Sequence, residues 1–444
     1  MTPETSYQPK RHIAIIESAR GFAAVYVLLT HIIELTGLHN NPGDSSTLKL
    51  FIDLFLIYGH QAVILFFVLS GFSIHYTSVD RNLAQLTELK HYYYLRWRRI
   101  YPIFFIAVCI TLGLDMAGSA IGIDMYRQHL SEVNSSQLLY TFTFLTDVHD
   151  VDGMLQPVLH SNGPLWSLSY EVIYYLIYPL FWIINRRIGI AGTITLGISI
   201  SAFTFILGKL SGGQHFLNVL DLYAIWCLGA VLAELHRRGV RCQIPMMIHA
   251  PAIYILLQSA WVLENAVYTV GAFFDITWGL LFFFIMLLYI SKENTNDMNR
   301  WQKAFTVFVA VIGYLVIIAC VERLGFVTDL ILFYSHISLT LILLVIGLYV
   351  PHLDVQSISK TLLKPLYPFG KSSYGIYVIH YPMLLFSVQL LIYFELSAWW
   401  CVAFVPFILA TANLIELHYQ PFMLRIIDPV ATRIGVYRKG KTLK

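Results

Sequence analysis

Charge is what this sequence has least of. Asp, Glu, Lys and Arg make up 12% of its 444 residues, about half the share of a soluble globular domain. So few solvating groups exclude an ordinary water-soluble protein. Cysteine is scarce too: Cys109, Cys227, Cys242, Cys320 and Cys401 are the five, and none has CxxC spacing. Four lie within apolar runs, which excludes a disulfide framework and leaves no zinc pattern. Internal repeats and low-complexity tracts are missing. A net charge of +3 gives no reason to expect nucleic acid as a partner.

Apolar residues are what remains, at 57% of the chain and a mean hydropathy of +0.66. Runs of about 20 such residues, each long enough to cross a bilayer as a helix, recur from end to end. The expected fold is an all-α polytopic membrane bundle of about 10–12 transmembrane helices. Candidate spans are 13–35, 51–76, 100–121, 164–184, 188–208, 218–235, 247–264, 269–290, 303–322, 328–350, 372–394 and 397–419. The run after the basic N-terminus has no A-x-A cleavage site and is read as a retained first helix. With both termini cytoplasmic, only Lys49, Arg127, Lys209 and Arg323 fall on outer loops, and Arg20 alone within a span. That asymmetry obeys the positive-inside rule. The expected division is a cytoplasmic tail, 1–12, a membrane domain, 13–419, and a basic cytoplasmic tail, 420–444. The longest outer loop, 122–163, holds Asp124, His129, Glu132, Asp147, His149, Asp150, Asp152 and His160. Their spacings match no metal-ligand pattern, so a solvated acidic loop and no metal are expected.

Ionisable groups inside such spans are costly and mark function by default. In ESARGFAAVYVLLTHI, Arg20 and His31 are eleven residues apart, about three turns, and so share one helix face. Glu17, one turn before Arg20, offers an ion pair that eases its burial. A snorkelling arginine and a hydrogen-bonded histidine are the bland alternative. ILFFVLSGF brings Ser70 and Gly71, small residues that also suit plain helix packing. HYYYLRWRRIYP sets Arg96 and Arg99 on one face at a cytoplasmic mouth, either as an anchor or as an anion site. In SNGPLWSLSYEVIYY, Ser167 and Glu171 share a face below the outer surface, and the buried carboxylate needs a partner or a proton. GKSSYGIYVIHYP aligns Ser373, Tyr377 and His380 as a polar stripe, equally readable as a bonded core.

In this order the elements resemble the membrane acyltransferase-3 family, over about residues 11–420. The family's R-x10-H falls on Arg20 and His31, and its FFxxSGF on Phe66, Phe67, Ser70, Gly71 and Phe72. RxxR falls on Arg96 and Arg99 with Pro102 following, W-x-L-x-x-E on Trp166, Leu168 and Glu171, and SYxxYxxH on Ser373, Tyr374, Tyr377 and His380. An acid common before a late Pro-Phe is here Gln420, which receives no role.

The resemblance implies transfer of an acyl group, most often acetyl, from cytosolic acyl-CoA to a hydroxyl of a carbohydrate or glycan, lipopolysaccharide and other envelope glycans among them. Acyl-CoA would be a co-substrate, with no permanently bound cofactor. The expected catalytic residues are His31 as general base with Glu171 and His380 to orient it or hold sugar. Arg20, Ser70, Arg96 and Arg99 would bind CoA, and Glu17, Trp166, Ser373 and Tyr377 the acceptor. Membrane lipids are the other partners, and a bacterial inner membrane is the expected site. Whether His31 is itself transiently acylated stays open. Two other classes also fit buried charges: a proton-coupled secondary transporter and a binding scaffold without turnover.

Overall fold

A backbone in lipid must satisfy its own polar groups, and a helix does so within one segment. The computed structural model is accordingly almost all helix. It describes residues 9–37, 58–147, 156–210, 219–239, 271–290 and 361–437, with a few isolated positions between them. In chain order the helices are α1 (Pro9–Leu35), α2 (Gly59–Ser78), α3 (Leu86–Ile121), α4 (Asp124–Glu132), α5 (Ser135–Phe142) and α6 (Trp166–Leu210). Then follow α7 (Tyr223–Arg237), α8 (Gly271–Ile290), α9 (Tyr367–Lys371), α10 (Ser373–Tyr393), α11 (Val405–Leu414) and α12 (Gln420–Arg433). Among the described residues, six stretches are long and apolar enough to cross a membrane. The protein is thus an all-α polytopic integral membrane bundle.

Two expected spans, 164–184 and 188–208, are halves of α6, broken at Gly189. There φ is 73°, a left-handed conformation that glycine adopts at no steric cost. The expected span 218–235 is α7, of 15 residues, about 22 Å long. Span 247–264, and all but isolated positions of 303–322 and 328–350, lie outside the described residues.

The loop expected to be solvated has structure of its own. It contains α4 and α5, then a parallel pair of two-residue strands, Thr146–Asp147 and Gln156–Pro157, and a 3-10 turn at His160–Leu165. Tyr126 turns inward from α4, and any side chain at Gly118 would collide with its ring. The His129 and His160 rings stack at 5.5 Å, and His160 Nε2 lies 2.7 Å from Glu132 Oε2. His149, Asp150 and Asp152 lie outside the described residues. Among those described, no three His, Cys, Asp or Glu side chains are grouped to hold a metal.

The chain divides into two interleaved compact units. One comprises 1–22, 44–76 and 224–370. In it α2 and α7 touch backbone to backbone: a Cβ at Gly71 would strike the Trp226 carbonyl, and one at Gly229 the Val68 carbonyl. Small residues permit this approach. The glycine of the SGF element is therefore a packing residue. His60 Nε2 and Asp275 Oδ1, 2.8 Å apart, join α2 to α8.

The other unit comprises 23–43, 77–223 and 371–444. Its core is built on α3, α10 and the start of α6. Tyr92, Tyr174 and Tyr178 are fully buried, and each phenol needs a partner. Tyr92 donates to the Tyr175 carbonyl at 3.0 Å and Tyr174 to that of Val219 at 2.6 Å.

Candidate functional site

In the first unit, Glu17 and Arg20 form the expected pair, Oε1 to Nη1 at 3.6 Å. The guanidinium also donates to Ser73 Oγ on α2 at 2.9 Å. Ser73, one turn past the buried Ser70, is thus the hydroxyl that meets Arg20, and Ser73 in turn donates to the Leu69 carbonyl.

In the second unit, His31 lies near the C-terminal end of α1. Its Nδ1 is 2.8 Å from Glu34 Oε2. A carboxylate only accepts, so Nδ1 carries the proton, and in the neutral ring Nε2 is then the acceptor. His380, at 0% exposure, stacks on this ring with centroids 5.2 Å apart. Its own Nδ1 donates to the Tyr377 and Ile376 carbonyls at 2.7 and 3.1 Å. The same neutral tautomer follows, with Nε2 as a buried acceptor that has no hydrogen-bond partner among the described residues. Tyr381 closes the group edge-on to His31, 4.9 Å between centroids. Two imidazoles with bare Nε2 atoms thus lie side by side.

The carboxylate beside His31 Nδ1 is Glu34 rather than Glu171, which was expected either to orient His31 or to hold sugar. His31 is held by Glu34, one turn on along its own helix, whereas the Glu171 carboxylate accepts the Tyr175 hydroxyl. A local i,i+3 partner reaches the ring at less conformational cost than one on another helix.

The start of α6 meets α10 through Ser167 and Tyr377, whose hydroxyls are 2.7 Å apart. Tyr377 also donates to the Pro164 carbonyl at 3.0 Å. Ser373 is buried at the first residue of α10, and Trp166 is half-buried, edge-on to Tyr170 at 5.1 Å. The polar stripe of α10 is therefore buried, with the Tyr377 hydroxyl bonded and His380 Nε2 open.

The two arginines of RxxR differ. Arg99 pairs with Glu416, Nη2 to Oε1 at 2.8 Å. Arg96 makes no ion pair among the described residues: it leans over the Tyr92 ring at 5.5 Å and reaches Thr77 Oγ1 only at 3.5 Å. Of the two, Arg99 is thus the one already paired with a carboxylate. Glu416 Oε2 accepts the Gly375 N–H at 2.7 Å, which caps the first turn of α10 with negative charge. Glu416 sits in a π-helical turn, Ile415–Tyr419, a feature frequent at functional sites. Gln420, given no role from sequence, donates to the carbonyls of Arg99 and Arg98 at 2.9 and 3.2 Å.

Sequence reasoning missed Glu34, Glu416 and also Asp115. Asp115 accepts from Ser161 Oγ at 2.7 Å, beside Asn162, whose Nδ2 bonds Thr111 Oγ1 and the Val378 carbonyl, each at 3.0 Å. The signal was present for all three, a lone acid in or at the end of an apolar run.

A family profile described as an acyltransferase domain, acyltransferase-3, matches residues 13–257. That interval holds Arg20, His31, Ser70, Arg96, Arg99, Trp166 and Glu171, while Ser373, Tyr377 and His380 lie beyond it. A Haemophilus influenzae protein, named only as uncharacterized, is 32% identical over 203 residues, covering 42% of this chain and 79% of that protein. No solved structure matches the chain.

Proposed function

This chain belongs to the acyltransferase-3 family, and from that premise we propose that it is a membrane O-acyltransferase in which His31 is the general base. The donor is acyl-CoA, with acetyl the first choice, and the acceptor is a hydroxyl of a carbohydrate or envelope glycan. The observation that carries the reading is His31 itself: Nδ1–H committed to Glu34 and Nε2 left as a proton acceptor.

His31 Nε2 takes the proton of the acceptor hydroxyl as its oxygen attacks the thioester carbonyl. The new C–O bond forms, the C–S bond breaks, and the proton passes to the departing CoA thiolate. A positioned base of this kind contributes about 10²–10⁴-fold. Glu34 holds the tautomer and supports the imidazolium formed in the step, the role a carboxylate plays beside a catalytic histidine. His380 supplies a second acceptor at its bare Nε2, suited to a sugar hydroxyl. Arg96, with no ion pair among the described residues, suits CoA's phosphates best. Arg99 joins it on exchanging Glu416 for phosphate, and Arg20 with Ser70 is kept for CoA's arm. Trp166 offers a face for the acceptor, and Glu171 with Glu17 remains a candidate for its hydroxyls. Family membership favours this enzyme over the transporter or scaffold readings. A bacterial inner membrane suits an enzyme that draws on cytosolic acyl-CoA.

The test is acyl transfer from labelled acetyl-CoA to a glycan by the purified protein, compared with His31→Ala. Loss of transfer in a variant that keeps its melting profile supports the base. Full activity removes it, and CoA-independent flux in vesicles would favour transport.

A further inference from the structure

One face of α12 is apolar and uncovered. Phe422, Ile426, Val430 and Ile434 recur every fourth residue, and each is more than half exposed. Residues so spaced line one side of a helix. The opposite side is fixed to α3: Tyr94 donates to Asp428 Oδ1 at 2.7 Å, and Arg98 meets Asp428 Oδ2 at 3.2 Å and the Tyr437 hydroxyl at 3.0 Å. Arg98 also lies over the Tyr437 ring at 5.1 Å. With Gln420 on the carbonyls of Arg98 and Arg99, α12 is strapped along the RxxR segment.

Length decides where this helix runs. Ala398–Arg433 spans 36 residues, about 54 Å at helical rise, against a hydrocarbon thickness of ~30 Å. The part up to Tyr419 is enough to fill the core, so α12 runs past it. Composition changes at the same point. The sequence of α11 carries no charge, whereas α12 carries Arg425, Asp428 and Arg433, the two arginines exposed. The sequence continues with Arg438, Lys439, Lys441 and Lys444. A helix with one apolar face and basic flanks lies in the plane of the membrane surface, and its cations attract anionic headgroups.

We infer that α12 is an interfacial helix. It seats Phe422, Ile426, Val430 and Ile434 at the boundary of headgroups and acyl chains, and Arg425 and Arg433 bind anionic phospholipid. Its other face meanwhile holds Arg98 and the backbone of Arg99. This holds whether or not the acyl-transfer reading does.

The full chain is placed in vesicles of phosphatidylglycerol and phosphatidylcholine, with benzoylphenylalanine in place of Ile426, of Val430, or of Thr432 on the flank. Irradiation followed by intact-mass spectrometry is expected to show lipid adducts at 426 and 430 and several-fold fewer at 432. The adducts should favour phosphatidylglycerol. Arg425→Glu combined with Arg433→Glu should lower that preference by about fivefold per charge removed. A chain-to-chain adduct would assign the face to a second copy, and no adduct would leave it in water. Either result overturns the proposal. Equal adducts with both lipids would overturn the anionic part of it. Position 426 is exposed, so the probe itself leaves the packing of α12 intact.

Discussion

His31 and His380 stack with ring centroids 5.2 Å apart and planes inclined by 29°, although they belong to α1 and α10, far apart in sequence. In the neutral rings both present Nε2 as the acceptor, because each Nδ1–H is committed to an oxygen, of Glu34 in one case and of backbone in the other. The pair therefore offers two acceptors and no ring donor.

Glu34→Gln should lower kcat by roughly 10- to 100-fold, the scale for removing an orienting partner, with KM for acetyl-CoA little changed. Gln presents an amide that can donate to Nδ1 and stabilise the other tautomer. Steady-state kinetics beside His31→Ala check this, and a Glu34→Gln enzyme of full kcat would show that the carboxylate has no orienting role.

Arg96→Ala should raise KM for acetyl-CoA more than Arg99→Ala does, since Arg96 has no ion pair among the described residues whereas Arg99 must exchange Glu416 for phosphate. Direct CoA binding by calorimetry separates the two. Equal losses of CoA and acceptor binding would show that the arginines only anchor the fold.

Glu416→Ala removes at once the counter-ion of Arg99 and the cap on Gly375. The carboxylate is buried but Arg99 is 43% exposed, so solvent screening discounts the ion pair. A loss of about 1–3 kcal/mol is expected. Glu416→Gln should recover part of it by keeping an acceptor for the Gly375 N–H. Thermal unfolding in detergent measures both.

Gly71→Ala or Gly229→Ala forces a methyl into a facing carbonyl and should destabilise by about 1–3 kcal/mol. Gly113→Ala meets nothing within 4 Å and should be neutral or slightly stabilising, as a helix gains from alanine. Similar melting temperatures for all three would refute the close contact of α2 and α7.

His129 lies in α4, outside the membrane-spanning stretches. Burial first, and then the neighbouring His160, push its pKa below the ordinary 6.5, with Glu132 opposing. The unfolded chain therefore binds the proton more readily. His129's contribution is intact above about pH 6.5 and is lost as pH falls toward its lower folded value. His129→Gln should flatten this acid dependence of the melting temperature. An unchanged slope would assign it elsewhere, as to the His160–Glu132 pair.

Sequence alone determined the class of the fold and the identity of most candidate groups. Scarce charge and repeated apolar runs leave a membrane bundle as the outcome, since only internally bonded helices survive in lipid. Helical periodicity also paired Glu17 with Arg20, because neighbours three apart meet on any helix. What the sequence could not decide was which distant side chains meet. The contact of Ser167 with Tyr377, the choice of Ser73 over Ser70, and the capping of α10 by Glu416 depend on how helices rotate and cross. That is set by packing of many small contacts, such as Gly71 against α7, and no single residue encodes it. The partner of Glu171 was hidden for the same reason: a carboxylate's depth does not say which way it faces. In the folded chain Tyr175 took it, and Glu34, nearer along the same helix, took His31.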